Sequence, residues 1–169
     1  EQLIGQVWHA TTNDAERAMT VAEGAFEEWS NTPVETRALA LENLATLLEK
    51  NREELMTLLV CEGGKTLPDA ISEVREAADF CRYYAAEARR LMTEPQPLPG
   101  PTGEKNQLSL HGRGVFVCIS PWNFPLAIFI GQIAAPLAAG NCVLAKPAHQ
   151  TSLVAYRATE LAFEAGIPV

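Results

Sequence analysis

Paired cysteines, a glycine-rich phosphate fingerprint and a long uninterrupted apolar run are all missing from this 169-residue chain. The four cysteines, Cys61, Cys81, Cys118 and Cys142, form no C-x-x-C pair and lack histidines at zinc-ligand spacing. That argues against a zinc ribbon or a disulfide framework. It suits reduced thiols in a cytoplasmic protein, with no metal site expected. The N-terminus shows no basic region followed by an apolar one, so no secretory signal is read there. The most apolar stretch, 124–139, is broken by Pro125, Gly131, Gln132 and Pro136, which is too short and too interrupted for a membrane span. Positive charge is scarce. Thirteen Lys and Arg against 21 Asp and Glu leave a net charge of −8, which argues against nucleic acid or an anionic membrane as partner. No G-x-G-x-x-G and no internal repeat is found.

What charge there is lies at one end. Residues 1–107 carry 19 acidic and 10 basic side chains, whereas 108–169 carry 2 and 3. This asymmetry predicts solvated helices leading into a buried sheet. Ala15, Ala18, Met19, Ala22, Ala25, Phe26 and Trp29 recur at helical spacing from Asn13 onward. Thr32-Pro33-Val34-Glu35 reads as a helix start with Thr32 as cap and Glu35 closing a capping box. The following helix shows Leu39, Leu41, Leu44, Leu47 and Leu48, and a further one stops at Gly63-Gly64. A long amphipathic helix is predicted from about Pro68 to Met92. Prolines at 95, 97, 99 and 101 then exclude helix and central strand, leaving an extended surface crossing.

From 107 the pattern changes to short strands around His111-Gly112-Arg113-Gly114, an apolar helix from Phe124 to Ala139, a buried strand from Cys142 to Ala145 and a helix from Thr151 to Ala165. Strand–helix–strand–helix is the parallel βαβ pattern. The expected fold is therefore α/β, a helical lead-in followed by the start of a Rossmann-like parallel sheet. Three regions are expected: a helical one over residues 1–92, a proline-rich crossing and hairpin strand over 93–114, and the first βαβα of a dinucleotide-binding domain over 115–169. After "EAGIPV" a further strand would be due, which predicts the front portion of a larger enzyme.

Two polar groups fall where strands of such a sheet hand over to helices, the edge at which open α/β sheets bind ligands. Asn123, inside "SPWNFP", carries an uncharged NH₂ donor suited to an oxygen that becomes negative only during reaction. It is equally placed to cap the helix begun by Phe124-Pro125. Lys146, inside "LAKPAHQTS", directly follows an apolar strand. Its ammonium either meets a ribose hydroxyl or phosphate or is simply a surface lysine.

"PWNFP" followed by "GNCVLAKPA" resembles the aldehyde dehydrogenase superfamily, with its P-W-N-x-P and G-N-x-x-x-x-K-P motifs, and "CEGGKT" resembles that family's E-x-G-K segment. "AISEVREAADFCRYYA" with "VCISPWNFPLAIFIGQIAAPLAAGNCVLAKPA" is similar to the proline utilisation A proteins, bifunctional enzymes whose C-terminal module oxidises L-glutamate γ-semialdehyde, formed from pyrroline-5-carboxylate, to glutamate. The resemblance spans essentially the whole chain. It implies that Asn123 donates to the oxyanion formed when a cysteine thiolate attacks the aldehyde. It also implies that Ile119, Ser120, Pro121 and Trp122 line the cofactor cleft, that Lys146 bonds the adenosine ribose, and that Ala148 and His149 adjoin it. Phe124 would face the substrate tunnel and Glu76 would approach it, unless Glu76 is a solvated helix-face carboxylate.

The implied cofactor is NAD, with NADP open because His149 stands where the family usually has a ribose-holding Glu. FAD would belong only to a proline dehydrogenase domain upstream. The family's catalytic cysteine and general-base glutamate are expected beyond residue 169. None of the four cysteines here sits in a matching context, so the isolated segment is expected to lack a catalytic domain and turnover. The family's assembly hairpin maps to 93–113, which implies a homo-oligomer for the full-length protein. A dehydrogenase for succinate semialdehyde or an aliphatic aldehyde, and a non-catalytic binding module, remain the alternatives.

Overall fold

The computed structural model describes residues 3–168. Four helices come first: α1 (Thr12–Asn31), α2 (Val34–Lys50), α3 (Arg52–Gly63) and α4 (Leu67–Met92). A two-stranded antiparallel hairpin follows, β1 (Gln96–Leu98) with β2 (Asn106–Leu108). Then β3 (Val115–Ile119), α5 (Ala127–Ala138), β4 (Cys142–Lys146), a 3₁₀ turn (His149–Thr151) and α6 (Ser152–Glu164) complete the chain. β3 and β4 pair in parallel, with Val115 opposite Cys142 and Ile119 opposite Lys146. The expected α/β architecture is present.

The core is one cluster joining the helical region to the βαβα region. Leu41, Leu44, Leu48, Leu55, Leu59, Ile130 and Leu161 are fully buried. α4 presents Ala70, Ala77, Ala78 and Ala85 along its buried stripe. Such short side chains let its axis run close to α2 and α5, the two helices it packs against most. α3 ends where Gly64 enters the left-handed region at φ 66°, a conformation that favours glycine.

The far end of α5 is gripped by the α1–α2 corner. Trp29 donates its indole N–H to Leu137 O at 3.2 Å, and the buried Arg37 donates Nε–H to Ala138 O at 3.1 Å. Buried Asn141 completes the joint. Its amide donates to Pro136 O at 3.2 Å, and its Oδ1 accepts from the Gly114 and Arg113 backbone N–H groups. Asn141 thus ties the start of β3 to the start of β4.

Three local expectations change. Thr32 closes α1 rather than opening α2, with its hydroxyl donating to Glu28 O at 3.0 Å. Pro33 is the N-cap of α2, and Glu35 is drawn to Arg89 on α4 instead of back to the cap. α5 begins at Ala127, not Phe124, because residues 120–126 are spent on the turn out of β3. The sheet is also more open than expected: Phe116 on one face and Val117 and Ile119 on the other are exposed.

Candidate active site at the carboxyl edge of the sheet

The parallel register puts the ends of β3 and β4 side by side, with Ile119 paired to Lys146. The next residue, Ser120, extends that pairing: its backbone N–H donates to Lys146 O at 3.1 Å, and its side chain is buried. The two polar segments read from the sequence, 120–124 and 146–149, therefore emerge together. Lys146 is exposed, and its ammonium donates to Pro147 O at 3.0 Å. Ile119, the register partner of Lys146, is 63% exposed, and Trp122, three residues on, is 57% exposed, so both leave apolar surface open at this edge. Ala148 is buried and accepts from the Ser152 hydroxyl at 3.1 Å. The exposed His149 ring packs at 39° to His9, with centroids 4.7 Å apart. Pro121 and Phe124 are exposed in the same turn.

Asn123 does not cap α5. The first free N–H groups of that helix, on Leu126 and Ala127, donate to Glu73 Oε2 at 3.1 and 3.3 Å. A carboxylate placed there also meets the positive end of the helix dipole. The exposed Asn123 amide makes no side-chain hydrogen bond among the described residues. Glu73 reaches this turn from α4, 53 residues earlier in sequence, with its side chain only 1% exposed. Its other oxygen, Oε1, has no well-aligned hydrogen bond, and the Lys65 ammonium at 2.7 Å compensates it as an ion pair. The same ammonium sits 4.1 Å from the centroid of the Phe124 ring, a cation–π distance.

The second helix of the site is capped in the same manner. Leu153 and Val154, at the start of α6, donate their N–H groups to Glu62 Oε1 and Oε2 at 2.7 and 3.1 Å. Glu62, Lys65 and Glu73 were not among the residues singled out individually from the sequence. One signal was available for Glu73: it falls on the apolar stripe of α4, between Ala70 and Ala77, where a solvated carboxylate does not belong. Glu76, one turn on, lies on the exposed face with Ser72, Arg75, Asp79, Phe80 and Tyr83.

Three of the four thiols are disfavoured as thiolates by burial. Burial pushes the Cys81 thiol up to about 12 and raises Cys118 and Cys142 above the ordinary thiol range. Cys118 is further engaged with Gln132 O at 3.3 Å. Among the described residues, no group of three or more His, Cys, Asp or Glu is arranged to hold a metal ion, and no helix is long and apolar enough to cross a membrane.

The sequence model of the aldehyde dehydrogenase family matches residues 1–169. The chain belongs to the aldehyde dehydrogenase family. Bifunctional protein PutA of Escherichia coli is 45% identical over 168 residues, covering 99% of this chain and 12% of PutA. A crystal structure of a Bradyrhizobium japonicum proline utilization A variant superposes with TM-score 0.93 at 57% identity, covering 96% of this chain and 17% of that one. The 1-pyrroline-5-carboxylate dehydrogenase from Thermus with bound NAD superposes with TM-score 0.88 at 40% identity, covering 94% and 31%. This member of the family therefore spans only a small fraction of the relatives it matches.

Proposed function

We propose that this chain forms part of an NAD-dependent aldehyde dehydrogenase that oxidises L-glutamate γ-semialdehyde, formed from pyrroline-5-carboxylate, to L-glutamate. The names of its relatives support that substrate. The observation that carries the reading is the pairing of Ile119 with Lys146, which brings the Asn123 turn and the lysine segment to one edge while Glu73 relieves Asn123 of capping.

The residues at this edge fit a dinucleotide. Lys146 offers an ammonium for a ribose hydroxyl, and Ile119 and Trp122 offer apolar surface for a ring. Ala148 and His149 would flank the ribose, Ser120 and Pro121 would shape the cleft wall, and His149 leaves NADP as the alternative cofactor. NAD, when bound, supplies the hydride acceptor. The chain's own role is to hold and polarise. Asn123 Nδ2–H would donate to the carbonyl oxygen of the aldehyde as a thiolate from the complete enzyme adds to its carbon and negative charge moves onto that oxygen. Because the amide carries no formal charge and need not break another bond, its donation strengthens as the oxyanion develops. Phe124 would border the aldehyde's path. Glu76, on the exposed face of α4, would approach that path. The β1–β2 hairpin, with Leu98 and Leu108 exposed, is the proposed contact of a homo-oligomer.

The test uses the complete enzyme carrying this segment, assayed for NADH absorbance with pyrroline-5-carboxylate, succinate semialdehyde and short aliphatic aldehydes. A highest kcat/KM with pyrroline-5-carboxylate supports the reading. Preference for another aldehyde overturns the substrate, and no turnover with any of them overturns the enzymatic function.

A further inference from the structure

Glu62, Lys65 and Glu73 lie outside the residues just given roles in cofactor or aldehyde binding, yet they connect both halves of the site. Glu62 lies in the last turn of α3 and Lys65 just beyond the Gly64 cap, only three residues apart. Glu62 closes the start of α6, which directly follows the 146–149 segment. Lys65 is paired with Glu73, which closes the start of α5 directly after the Asn123 turn, and it also lies over Phe124 within that turn. Gly63, between the two arms, packs against both segments. A Cβ there would lie 3.8 Å from Pro125 and 3.8 Å from Thr151.

We infer that Glu62, Lys65 and Glu73 form a two-armed brace of positioning residues. The Lys65–Glu73 arm fixes the turn that aims Asn123 and Phe124, and the Glu62 arm fixes the segment carrying Lys146, Ala148 and His149. The inference rests on the site roles proposed above for those segments. It follows from where the bonds go. Each helix start is held by a carboxylate from the helical lead-in and not by a residue of its own turn, so the angle of each turn is set by the same α3–α4 junction. Two charges support the first arm and one the second, and the arms share no hydrogen bond. Weakening one should therefore disturb its own segment first.

Glu73→Gln keeps an acceptor for the two N–H groups but strands the Lys65 ammonium. Lys65→Met strands the carboxylate. The double variant leaves neither charge unpaired. In the complete enzyme, kcat should fall about 10²-fold in either single variant, the scale of a misaimed catalytic group, with the NAD Kd changing less than about threefold. The double variant should regain at least about tenfold of that kcat, because charges in one pair are not additive. Glu62→Gln should instead raise the NAD Kd about fivefold, the scale of a lost helix cap, with kcat at saturating NAD falling less than about threefold.

Amide exchange in the 169-residue chain reads the same division without catalysis. Glu73→Gln should speed exchange at Leu126 and Ala127, and Glu62→Gln at Leu153 and Val154. Glu62→Asp should recover some of the lost protection. Equal changes in kcat and Kd across all variants, or exchange rising everywhere together, would overturn the brace. A wild-type enzyme without aldehyde oxidation would remove the functional reading instead, and the exchange pattern would still decide whether the two arms act separately.

Discussion

The Lys65 ammonium lies 2.7 Å from Glu73 Oε1 in a pair where the carboxylate is 1% and the lysine 14% exposed. Taking both charges out of water is unfavourable, so the pair's value to stability is smaller than its attraction suggests. Removing one partner is another matter, because the survivor stays buried and uncompensated. Lys65→Met should therefore destabilise the chain by about 3–5 kcal/mol, read as a lower urea midpoint. A change within about 0.5 kcal/mol, the range of an ordinary surface substitution, would show that the pair is solvated.

Asn141 should also be sensitive, though less so, and for a neutral reason. Its side chain joins Pro136 O to the Gly114 and Arg113 N–H groups, so Asn141→Ala takes the acceptor from those two partly buried N–H groups, while Pro136 O keeps the backbone N–H of residue 141. A loss of about 2–3 kcal/mol is expected by urea unfolding. An unchanged midpoint would mean that water replaces the amide.

Acid should weaken the α2–α4 contact. Arg89 donates to both Glu35 and Glu42, and those hydrogen bonds hold both carboxyls below the usual carboxylate range. A carboxylate with a depressed folded pKa stabilises fully above its unfolded pKa, and that contribution is lost as pH falls through the folded value. The melting temperature should therefore drop as pH falls from the unfolded carboxylate range toward more acidic values, with Arg89→Met shrinking the drop by about 2–4 °C at most, since the pairs are solvent-facing. An identical pH profile for Arg89→Met would remove these pairs as the cause.

His149 should govern cofactor preference. A carboxylate at that position would accept from ribose hydroxyls and repel a 2′-phosphate. His149→Glu is expected to tighten NAD and weaken NADP, moving the ratio of their dissociation constants about tenfold toward NAD, or about 1.4 kcal/mol. An unchanged ratio would place His149 away from the ribose.

Much of this arrangement could be read from the sequence because it is local. The spacing of Leu41, Leu44 and Leu48 marks α2, Gly64 and Gly166 mark helix ends, and the apolar runs before Ser120 and Lys146 mark two strands that do pair in parallel. What escaped was non-local. Asn123-Phe124-Pro125 looks like a helix start, but the bond acceptor for that helix comes from Glu73, 53 residues away. Thr32 fits a cap by composition, yet its hydroxyl turns back to Glu28. Whether a polar side chain caps its own helix or is released depends on which distant group arrives first, and periodicity carries no record of that.

With Glu73 capping α5, Asn123 is not needed as a cap, and Asn123→Ala separates that duty from its proposed one of donating to an oxyanion. The decisive comparison sets kcat for pyrroline-5-carboxylate and NAD in the complete enzyme beside the melting temperature of the 169-residue chain. If Asn123 is an oxyanion donor and not a cap, kcat falls by about 10²–10³-fold and the melting temperature does not change. A kcat near wild type, or a melting temperature lowered as for a lost cap, would show that Asn123 does not have this role.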